Sequence, residues 1–160
     1  MDDFASKGRP NYFGLAPSAL NYPIGGKRPL SSMSPTLIFH KDKLRMVVGA
    51  SGGPKIITAT LQTALNHMLA GLDLFEANTA PRIHDQILYH NEPTCVHSEE
   101  TLLNGAQISL GDVTKDSMTK RGHGMIGVDY MGSCQAVSID VDGLMSAVSD
   151  IRKDGQPASY

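Results

Sequence analysis

A glycine-rich turn at residues 49–53, which reads G-A-S-G-G, is the first stretch of this chain suited to chemistry. It satisfies the pattern G-x-S-x-G, in which a tight strand-to-helix turn exposes a nucleophilic serine, here Ser51. A second interpretation assigns the chemistry to the backbone N–H groups of Gly52 and Gly53, since the backbone of a residue without a side chain approaches a ligand closely. A third treats the glycines only as turn residues that permit positive φ. The pattern alone leaves all three open.

Two enzyme classes that use such turns fit the neighbouring residues poorly. A phosphate-binding loop, G-x-x-x-x-G-K-[ST], would need glycine where Pro54 stands and serine or threonine where Ile56 stands. A serine hydrolase would need an acid and then a histidine after Ser51, an order that several residues provide: Asp73 or Asp112, with His84, His97 or His123. Such hydrolases rest on a mostly parallel sheet, whereas only a proline-rich arm and one predicted hairpin precede this turn. The sequence therefore disfavours both classes.

A second polar feature is the stretch PLSSMSPT at residues 29–36. Serines between prolines are usually turn formers whose hydroxyls bond nearby backbone. In the functional interpretation, Ser31 and Ser32 offer adjacent hydroxyl donors to a ligand carboxylate. Asp2 and Asp3 at the start of the chain could pair with an ammonium group, although terminal acids are usually only solvated.

The histidines and cysteines do not predict a metal site. No HxxxH, HExxH or CxxC spacing occurs. His84 and His90 lie six residues apart in a strand-like segment, which separates them by about 20 Å along a strand, too far to share a metal. Cys95 and Cys134 are distant in sequence, so neither a zinc site nor a dense disulfide framework is implied.

The elements that must position these residues begin after a proline- and glycine-rich arm, residues 1–35, which shows no periodicity. Residues 36–40 and 44–49 predict a β-hairpin whose second strand leads into the glycine turn. After Pro54 a helix is predicted to run to Gly71, with one continuous apolar face formed by Ile57, Leu61, Leu65 and Met68. A second helix is predicted from the capping residue Asp73 until Pro81 ends it.

The rest of the chain mixes further strands with short helical or irregular segments. Residues 82–90 and 94–97 resemble strands, and 98–105 predict one or two helical turns opened by Ser98 in a capping-box pattern. We expect residues 111–124 to be a polar surface connection. Residues 125–150 predict two or three antiparallel strands with turns at Met131-Gly132 and Asp142-Gly143. Because strands and helices do not alternate regularly, the fold class is α+β.

The length, composition and net charge of the chain limit the classes of function that are compatible with it. The 160 residues, 41% of them hydrophobic, suffice for one domain with a core. The net charge of −2, without a basic stripe, argues against nucleic acid as a partner. No apolar run approaches the roughly 20 residues that cross a bilayer, and the acidic start does not resemble a signal peptide. We therefore expect no targeting or transmembrane segment in this sequence.

Five stretches, taken together, resemble the C-terminal part of the small subunit of gamma-glutamyltransferases, also called glutathione hydrolases. They are MDDF, the arm ending in GGKRPLSSMSPT, then MVVGASGGPKIIT, APRIHDQ and SDIRKDGQPASY. Their order and spacing agree with the family, and the resemblance extends from Met1 to Tyr160.

The resemblance implies an N-terminal-nucleophile hydrolase fold, an αββα sandwich of two sheets between helical layers. It is expected to be incomplete here, as one partial small-subunit domain with a substrate-binding arm at 1–35 and a sheet and helix core at 36–160. The implied reaction cleaves the γ-glutamyl bond of glutathione through an acyl-enzyme and passes the γ-glutamyl group to water or to amino-acid or dipeptide acceptors. No metal or organic cofactor is implied.

Residue by residue, Gly52 and Gly53 match the family's oxyanion-hole glycines, whose N–H groups face the developing alkoxide. Ser31 and Ser32 match the serines that bind the α-carboxylate of the substrate, and Asp3 matches the acid that pairs with its α-amino group. In the family these groups clamp the free amino-acid end of a γ-glutamyl compound.

The same resemblance indicates what this sequence lacks. It opens at the Met of the family's E-M-D-D-F stretch, so the preceding acid, the N-terminal threonine nucleophile and the large subunit are not in it. Thr36, Thr58 and Thr60 are internal and cannot provide a free N-terminal amine. Because loss of the nucleophile costs on the order of 10⁶ in turnover, the isolated chain is expected to be inactive.

Two hypotheses follow from these departures. In the first, the chain is part of a glutathione hydrolase that works as a heterodimer with the large subunit, at a plasma-membrane or extracellular location suggested by the family. In the second, it is a catalytically inactive light-chain-like relic that acts as a binding or regulatory module.

Overall fold

The structure is a computed structural model that describes residues 4–87 and 95–158. The strands are β1 Thr36–His40, β2 Lys43–Ser51, β3 Ile83–Asp85, β4 Cys95–Leu103, β5 Ala106–Ser109, β6 Gly124–Val128, β7 Ser133–Ile139 and β8 Met145–Val148. The α-helices are α1 Ile56–Met68, α2 Leu74–Thr79 and α3 Asp112–Lys120. The described part of the arm before β1 contains a short 3₁₀ turn, Ala19–Asn21, and an isolated β-bridge between Ser6 and Arg9, in agreement with its lack of periodicity.

The first sheet is antiparallel, with strand order β1-β2-β7-β8. The predicted hairpin is confirmed: β1 and β2 join through Lys41 and Asp42, both at positive φ, and β2 continues to Ser51 at the glycine turn. One face of the sheet is the core, where Met46, Val48 and residues of β7 and α2 pack together. Helices α1 and α2 cover this face.

The opposite face of the first sheet is open. A cross-strand row of apolar residues, paired in register, crosses all four strands: Leu37, Val47, Val137 and Ala147. All four are exposed or only partly buried. Among the described residues, helices therefore cover the first sheet on one face only.

Helix α1 follows a 3₁₀ turn, Gly53–Lys55, that contains Pro54. The helix buries small or short side chains against the sheet: Ile56, Ala59, Thr60, Thr63 and Ala64. The apolar face predicted from Ile57, Leu61, Leu65 and Met68 exists, but its side chains are 38–53% exposed and do not form the core. The core contact falls on the small residues because they allow the helix to lie close to the sheet.

Helix α2 begins as predicted at Asp73. The Asp73 carboxylate accepts a hydrogen bond from the Glu76 N–H at 2.7 Å, and the Glu76 carboxylate accepts one from the Asp73 N–H at 3.3 Å. This capping box satisfies two backbone donors that the helix leaves unpaired. It brings Leu74 into the core beneath the first sheet.

The structure differs from the sequence prediction at residues 98–105 and adds a helix at residues 112–120. Residues 98–105 are not helical, because Ser98 lies in the middle of β4 and pairs with Ile83 of β3 and Gly127 of β6. Pairing on both sides of β4 outweighs the local capping-box pattern. Within the predicted polar surface connection, residues 112–120 form a helix, α3, that buries none of its side chains. Asp112 lies in its first turn and Lys120 in its last, where each charge is favourable to the helix dipole.

The C-terminal strands are also only partly as predicted. The Asp142-Gly143 turn joins β7 and β8 in an antiparallel hairpin. Strand β6, however, pairs in parallel with β4 in the second sheet, so Met131-Gly132 connects two sheets and is not a hairpin turn. The α+β class is confirmed.

Candidate active site

The glycine turn has a backbone that requires glycine at two consecutive positions. Gly52 has φ of 140° and Gly53 has φ of 61°. A Cβ atom on Gly52 would lie 2.7 Å from the Cα of Gly132, and one on Gly53 would lie 2.2 Å from the ring of Phe13. The turn leads directly into α1, and the first N–H groups of a helix have no intrahelical partner. The turn therefore presents backbone donors at the positive end of a helix dipole.

Ser51 does not have the surroundings of a serine nucleophile. Its hydroxyl oxygen accepts a hydrogen bond from Lys153 Nζ at 3.0 Å, and not from a histidine as the acid–histidine triad considered from the sequence would require. The sheet that carries it is antiparallel throughout, unlike the mostly parallel sheet of serine hydrolases with a nucleophile elbow. This geometry favours Gly52 and Gly53 over Ser51 as the groups with a chemical role.

Ser31 and Ser32 meet Gly53 of the glycine turn in one cleft of about 710 Å³, whereas Gly52 is not part of its lining. The Ser32 hydroxyl donates to the Gly53 carbonyl at 2.7 Å, which fixes the arm to the turn. The Ser31 oxygen accepts from the Met33 N–H at 3.1 Å, and its own proton remains available as a donor. Apolar side chains form most of the remaining wall: Phe4, Tyr12, Phe13, Leu15, Leu30, Ile57 and Ile87. Asp3 lies outside the described residues.

Five further polar residues line the cleft: Asn11, Thr58, His84, Asp85 and Gln86. From the sequence, His84 was considered only for a hydrolase triad or a metal pair, and Thr58 only as an internal threonine. Thr58 Oγ1 lies 2.9 Å from His84 Nδ1, and His84 Nε2 lies 2.8 Å from Gln86 Oε1. Burial lowers the pKa of His84, and the hydrogen bond to Gln86 opposes this only in part. The imidazole is thus neutral at pH 7 and ties α1 to β3. The two-residue spacing of His84 and Gln86 was the available signal, because residues two apart on a strand share a face.

Lys55 is not placed as a phosphate-loop lysine. Its Nζ donates to the Tyr130 carbonyl at 2.8 Å. Burial lowers the pKa of Lys55, while Asp129 and Glu99 act in the opposite direction. The lysine therefore connects the turn to the segment before β7.

A buried ionic network supports the glycine turn from behind. Arg82 donates to the Gly132 carbonyl at 2.9 Å and to Asp150 Oδ2 at 2.8 Å. Gly132 in turn packs directly against Gly52. Asp150 Oδ2 also accepts from the Cys134 N–H at 2.6 Å. Arg82 and Asp150 thus hold the segment that backs the turn.

The rest of the network is formed by Arg152, which lies 2.5 Å from Glu99 and 3.0 Å from Asp150. Burial by itself would raise the pKa of Asp150, but Arg82 and the backbone N–H groups of Cys134 and Arg152 outweigh it, so the pKa lies below its ordinary value. Burial likewise opposes the charge on Arg152, and its bonds to Glu99 and Asp150 leave its pKa raised.

Other predictions concern metals, thiols and membranes. In residues 4–87 and 95–158, no three His, Cys, Asp or Glu side chains are grouped so that they could hold a metal ion. His90, half of the histidine pair considered above, lies outside these ranges. Cys95 and Cys134 are buried and form no disulfide bond, and burial raises the pKa of Cys134. None of the described helices has the length and apolar character needed to span a membrane.

Comparison with known proteins gives the same assignment over the whole chain. The family described as Gamma-glutamyltranspeptidase matches residues 1–160. Glutathione hydrolase proenzyme 1 of Schizosaccharomyces pombe is 36% identical over 100% of this chain, and the glutathione hydrolase proenzyme of Escherichia coli is also 36% identical over 100% of it. The chain spans only about a quarter of the length of these relatives, 24% and 26%.

Solved structures agree on the fold. Helicobacter pylori gamma-glutamyltranspeptidase matches 96% of this chain at 35% identity with a TM-score of 0.78, and 78% of that chain is covered. The Bacillus anthracis transpeptidase CapD, at 18% identity and a TM-score of 0.65, shares the fold over 85% of this chain and 75% of its own. The fold is that of the N-terminal-nucleophile hydrolases, and the chain belongs to the gamma-glutamyltranspeptidase family.

Proposed function

We propose that this chain forms the substrate clamp and the oxyanion hole of a glutathione hydrolase. The enzyme would cleave the γ-glutamyl bond of glutathione and transfer the γ-glutamyl group to water or to an amino-acid or dipeptide acceptor. The observation that carries the proposal is the meeting of Ser31, Ser32 and Gly53 in one cleft, with the Ser32 hydroxyl bonded to the Gly53 carbonyl.

Each group has a chemical role in this proposal. The N–H groups of Gly52 and Gly53 stabilise the negative charge that develops on the γ-carbonyl oxygen. The Ser31 hydroxyl donates to the α-carboxylate, the Ser32 hydroxyl turns from the Gly53 carbonyl to donate to it when substrate binds, and Asp3 pairs with the α-amino group. Because an ordinary peptide bond has neither free group beside it, this clamp would select γ-glutamyl compounds.

The proposal requires groups from outside the 160 residues. The nucleophile is the N-terminal threonine of the family's small subunit, and the partner is the large subunit, so the active form is a heterodimer. The names of the relatives as proenzymes support a longer precursor. Following the family resemblance, we place this enzyme at the plasma membrane or outside the cell.

The test is a chimera in which this chain replaces the aligned segment of the Schizosaccharomyces pombe proenzyme. We expect turnover of a γ-glutamyl anilide. Ser31→Ala and Ser32→Ala should each raise KM by about 10–100-fold, since each removes a hydrogen bond to a charged group. Ser18→Ala is the matched control, because Ser18 lies in the same arm and makes no capping hydrogen bond.

If KM is unchanged in Ser31→Ala, in Ser32→Ala and in the control, the assignment of the two serines to the substrate carboxylate is contradicted. A folded chimera without any turnover would contradict the assignment of the oxyanion hole.

The second candidate is a module that binds γ-glutamyl compounds without turnover. It is favoured by one feature, that this chain by itself lines the cleft. Calorimetry of the isolated chain with glutathione should then show binding that Ser31→Ala/Ser32→Ala weakens. Absence of binding by the folded chain would leave the heterodimeric enzyme as the better candidate.

A further inference from the structure

We propose that one wall of the cleft, formed by Tyr12, Leu30, Ile57 and Ile87, binds the amine part of a γ-glutamyl compound and selects neutral, apolar amines. The amine part is the group on the nitrogen side of the γ-glutamyl bond. We call these four residues the amine-side wall. The inference rests on the proposed function, because it assumes that the clamp holds the γ-glutamyl group.

The cleft is larger than the clamp requires. Its volume of about 710 Å³ lies in the range of sites that enclose a whole drug-sized ligand, whereas a γ-glutamyl group is much smaller. Ser31, Ser32 and Gly53 line the same cleft as the amine-side wall. A substrate whose γ-glutamyl group occupies the clamp therefore has its amine part in the remainder of this cleft.

The amine-side wall is apolar and exposed to water. Leu30 and Ile57 are about half exposed, and Tyr12 and Ile87 are more exposed still. Exposed apolar residues that lie beside polar ones are typical of ligand-binding grooves. A few polar groups that orient the ligand and an apolar lining that encloses the rest of it are the usual composition of a small-molecule site. The clamp and the amine-side wall together have this composition.

The cleft provides no partner for a carboxylate on the amine part. Among the described residues that line it, none is Lys or Arg, and the carboxylate of Asp85 would repel a second one. Thr58, His84 and Gln86 are hydrogen-bonded to one another. Burial lowers the pKa of His84, so its ring carries no charge at pH 7. Because an unpaired charge is costly to bury, the cleft favours an amine part without one.

The backbone of Ile87 gives independent support for an occupant at this wall. Its φ is 67°, in the left-handed region that a β-branched residue rarely adopts. The Asp85 carboxylate accepts a hydrogen bond from the Ile87 N–H at 2.7 Å and holds this conformation. The side chain is nevertheless 74% exposed, so packing against the described residues does not offset the strain. Strained residues of this kind are concentrated at ligand-binding and active sites.

The experiment compares three donors in the chimera: γ-glutamyl-ethylamide, γ-glutamyl-phenethylamide and γ-glutamyl-phenylalanine. The first two differ only in a phenyl ring, and the last two differ only in a carboxylate. We expect the ring to raise kcat/KM by about 10–100-fold, because the amine-side wall removes it from water. We expect the carboxylate to lower kcat/KM by about 10-fold, since the wall offers it no cation.

Ile87→Lys tests the wall itself, because it replaces an exposed apolar side chain of the cleft with a cation. It should reduce the effect of the ring by about 10-fold and make γ-glutamyl-phenylalanine the better of the two aromatic donors. Val113→Lys is the matched control, since Val113 is exposed on α3 and does not line the cleft. Ile57→Lys repeats the test at a second position of the wall if Ile87→Lys does not fold.

Equal kcat/KM for γ-glutamyl-ethylamide and γ-glutamyl-phenethylamide would overturn the proposal. A preference for the ring that both Ile87→Lys and Ile57→Lys leave unchanged would also overturn it, because the ring would then be bound elsewhere.

The failure of this inference can be distinguished from the failure of the proposed function. Ser31→Ala should raise KM for all three donors to a similar extent and leave their ratios unchanged. If turnover depends on Ser31 but the ring has no effect, the proposed function stands and the amine-side wall is wrong. If no donor is turned over, calorimetry with the isolated chain tests the wall by itself: γ-glutamyl-phenethylamide should bind about 10-fold more tightly than γ-glutamyl-ethylamide, and equal affinities would overturn the proposal.

Discussion

Gly52 and Gly53 have their proposed role through backbone N–H groups, so substitutions there change geometry rather than remove a side chain. Gly53 combines positive φ with direct contact to the Phe13 ring. Ser32 bonds to the carbonyl of the same residue. The backbone position of Gly53 thus determines both the proposed oxyanion donor, its N–H group, and the contact between turn and clamp, its carbonyl group.

Gly53→Ala in the chimera should lower kcat by about 10²–10³-fold, the range for loss of an oxyanion donor. Steady-state kinetics would show the loss, with a smaller change in KM. Gly71→Ala is the matched control, because Gly71 also has positive φ, 74°, but a Cβ atom there meets nothing within 4 Å. Equal losses of kcat in the two variants would show that backbone strain alone is responsible.

At the scale of elements, α2 depends on its N-terminal cap. Asp73→Ala removes the side-chain acceptor of the Glu76 N–H and should lower the free energy of unfolding by about 1 kcal/mol. Asp73→Asn keeps an oxygen acceptor and should therefore lower the free energy of unfolding much less. Urea unfolding of the three proteins measures the difference. Equal costs for both substitutions would indicate that the charge, and not the cap, stabilises the helix.

The buried network joins elements that are far apart in sequence, and its two arginines have separable roles. Arg82→Met and Arg152→Met should each lower the free energy of unfolding by about 3–5 kcal/mol, because each leaves a buried carboxylate with one partner fewer. Only Arg82 contacts Gly132, which backs the turn. Arg82→Met should therefore shift the NMR resonance of the Gly53 amide, while Arg152→Met should not. Equal shifts would contradict a positioning role for Arg82.

For the molecule as a whole, apolar residues are exposed to water on two surfaces. One is the open face of the first sheet, and the other is the outer face of α1, with Ile57, Leu61, Leu65 and Met68. The described helices cover only one face of the first sheet. Loss of one partner from the buried ionic network is expected to destabilise the isolated chain, because it leaves a buried charge uncompensated.

This network predicts acid sensitivity. The folded-state pKa of Asp150 is lowered from 3.8, so the stability that it contributes is complete above about pH 4 and is lost as pH falls toward the folded-state pKa. Urea unfolding between pH 5 and pH 2 should show this loss, and Asp150→Asn should be less stable at pH 5 and flatter in its pH dependence. An unchanged slope in the variant would exclude Asp150 as the titrating group.

The sequence by itself determined the features that depend on neighbouring residues. The hairpin before the glycine turn, the capping box at Asp73 and the turn at Asp142-Gly143 are set by local hydrogen bonds and backbone preferences, and these do not require a partner. The motifs around Ser31, Ser32, Gly52 and Gly53 were sufficient for the family, because their order in the chain is specific.

Only the tertiary structure decided which side of each element is buried. Strand β4 forms where a capping-box pattern favoured helix, because β3 and β6 satisfy its backbone from both sides. His84 enters the cleft because β3 lies against α1. The apolar stripe of α1 is exposed because the sheet accepts the helix's small residues, and burial depends on what a face packs against, which periodicity does not specify.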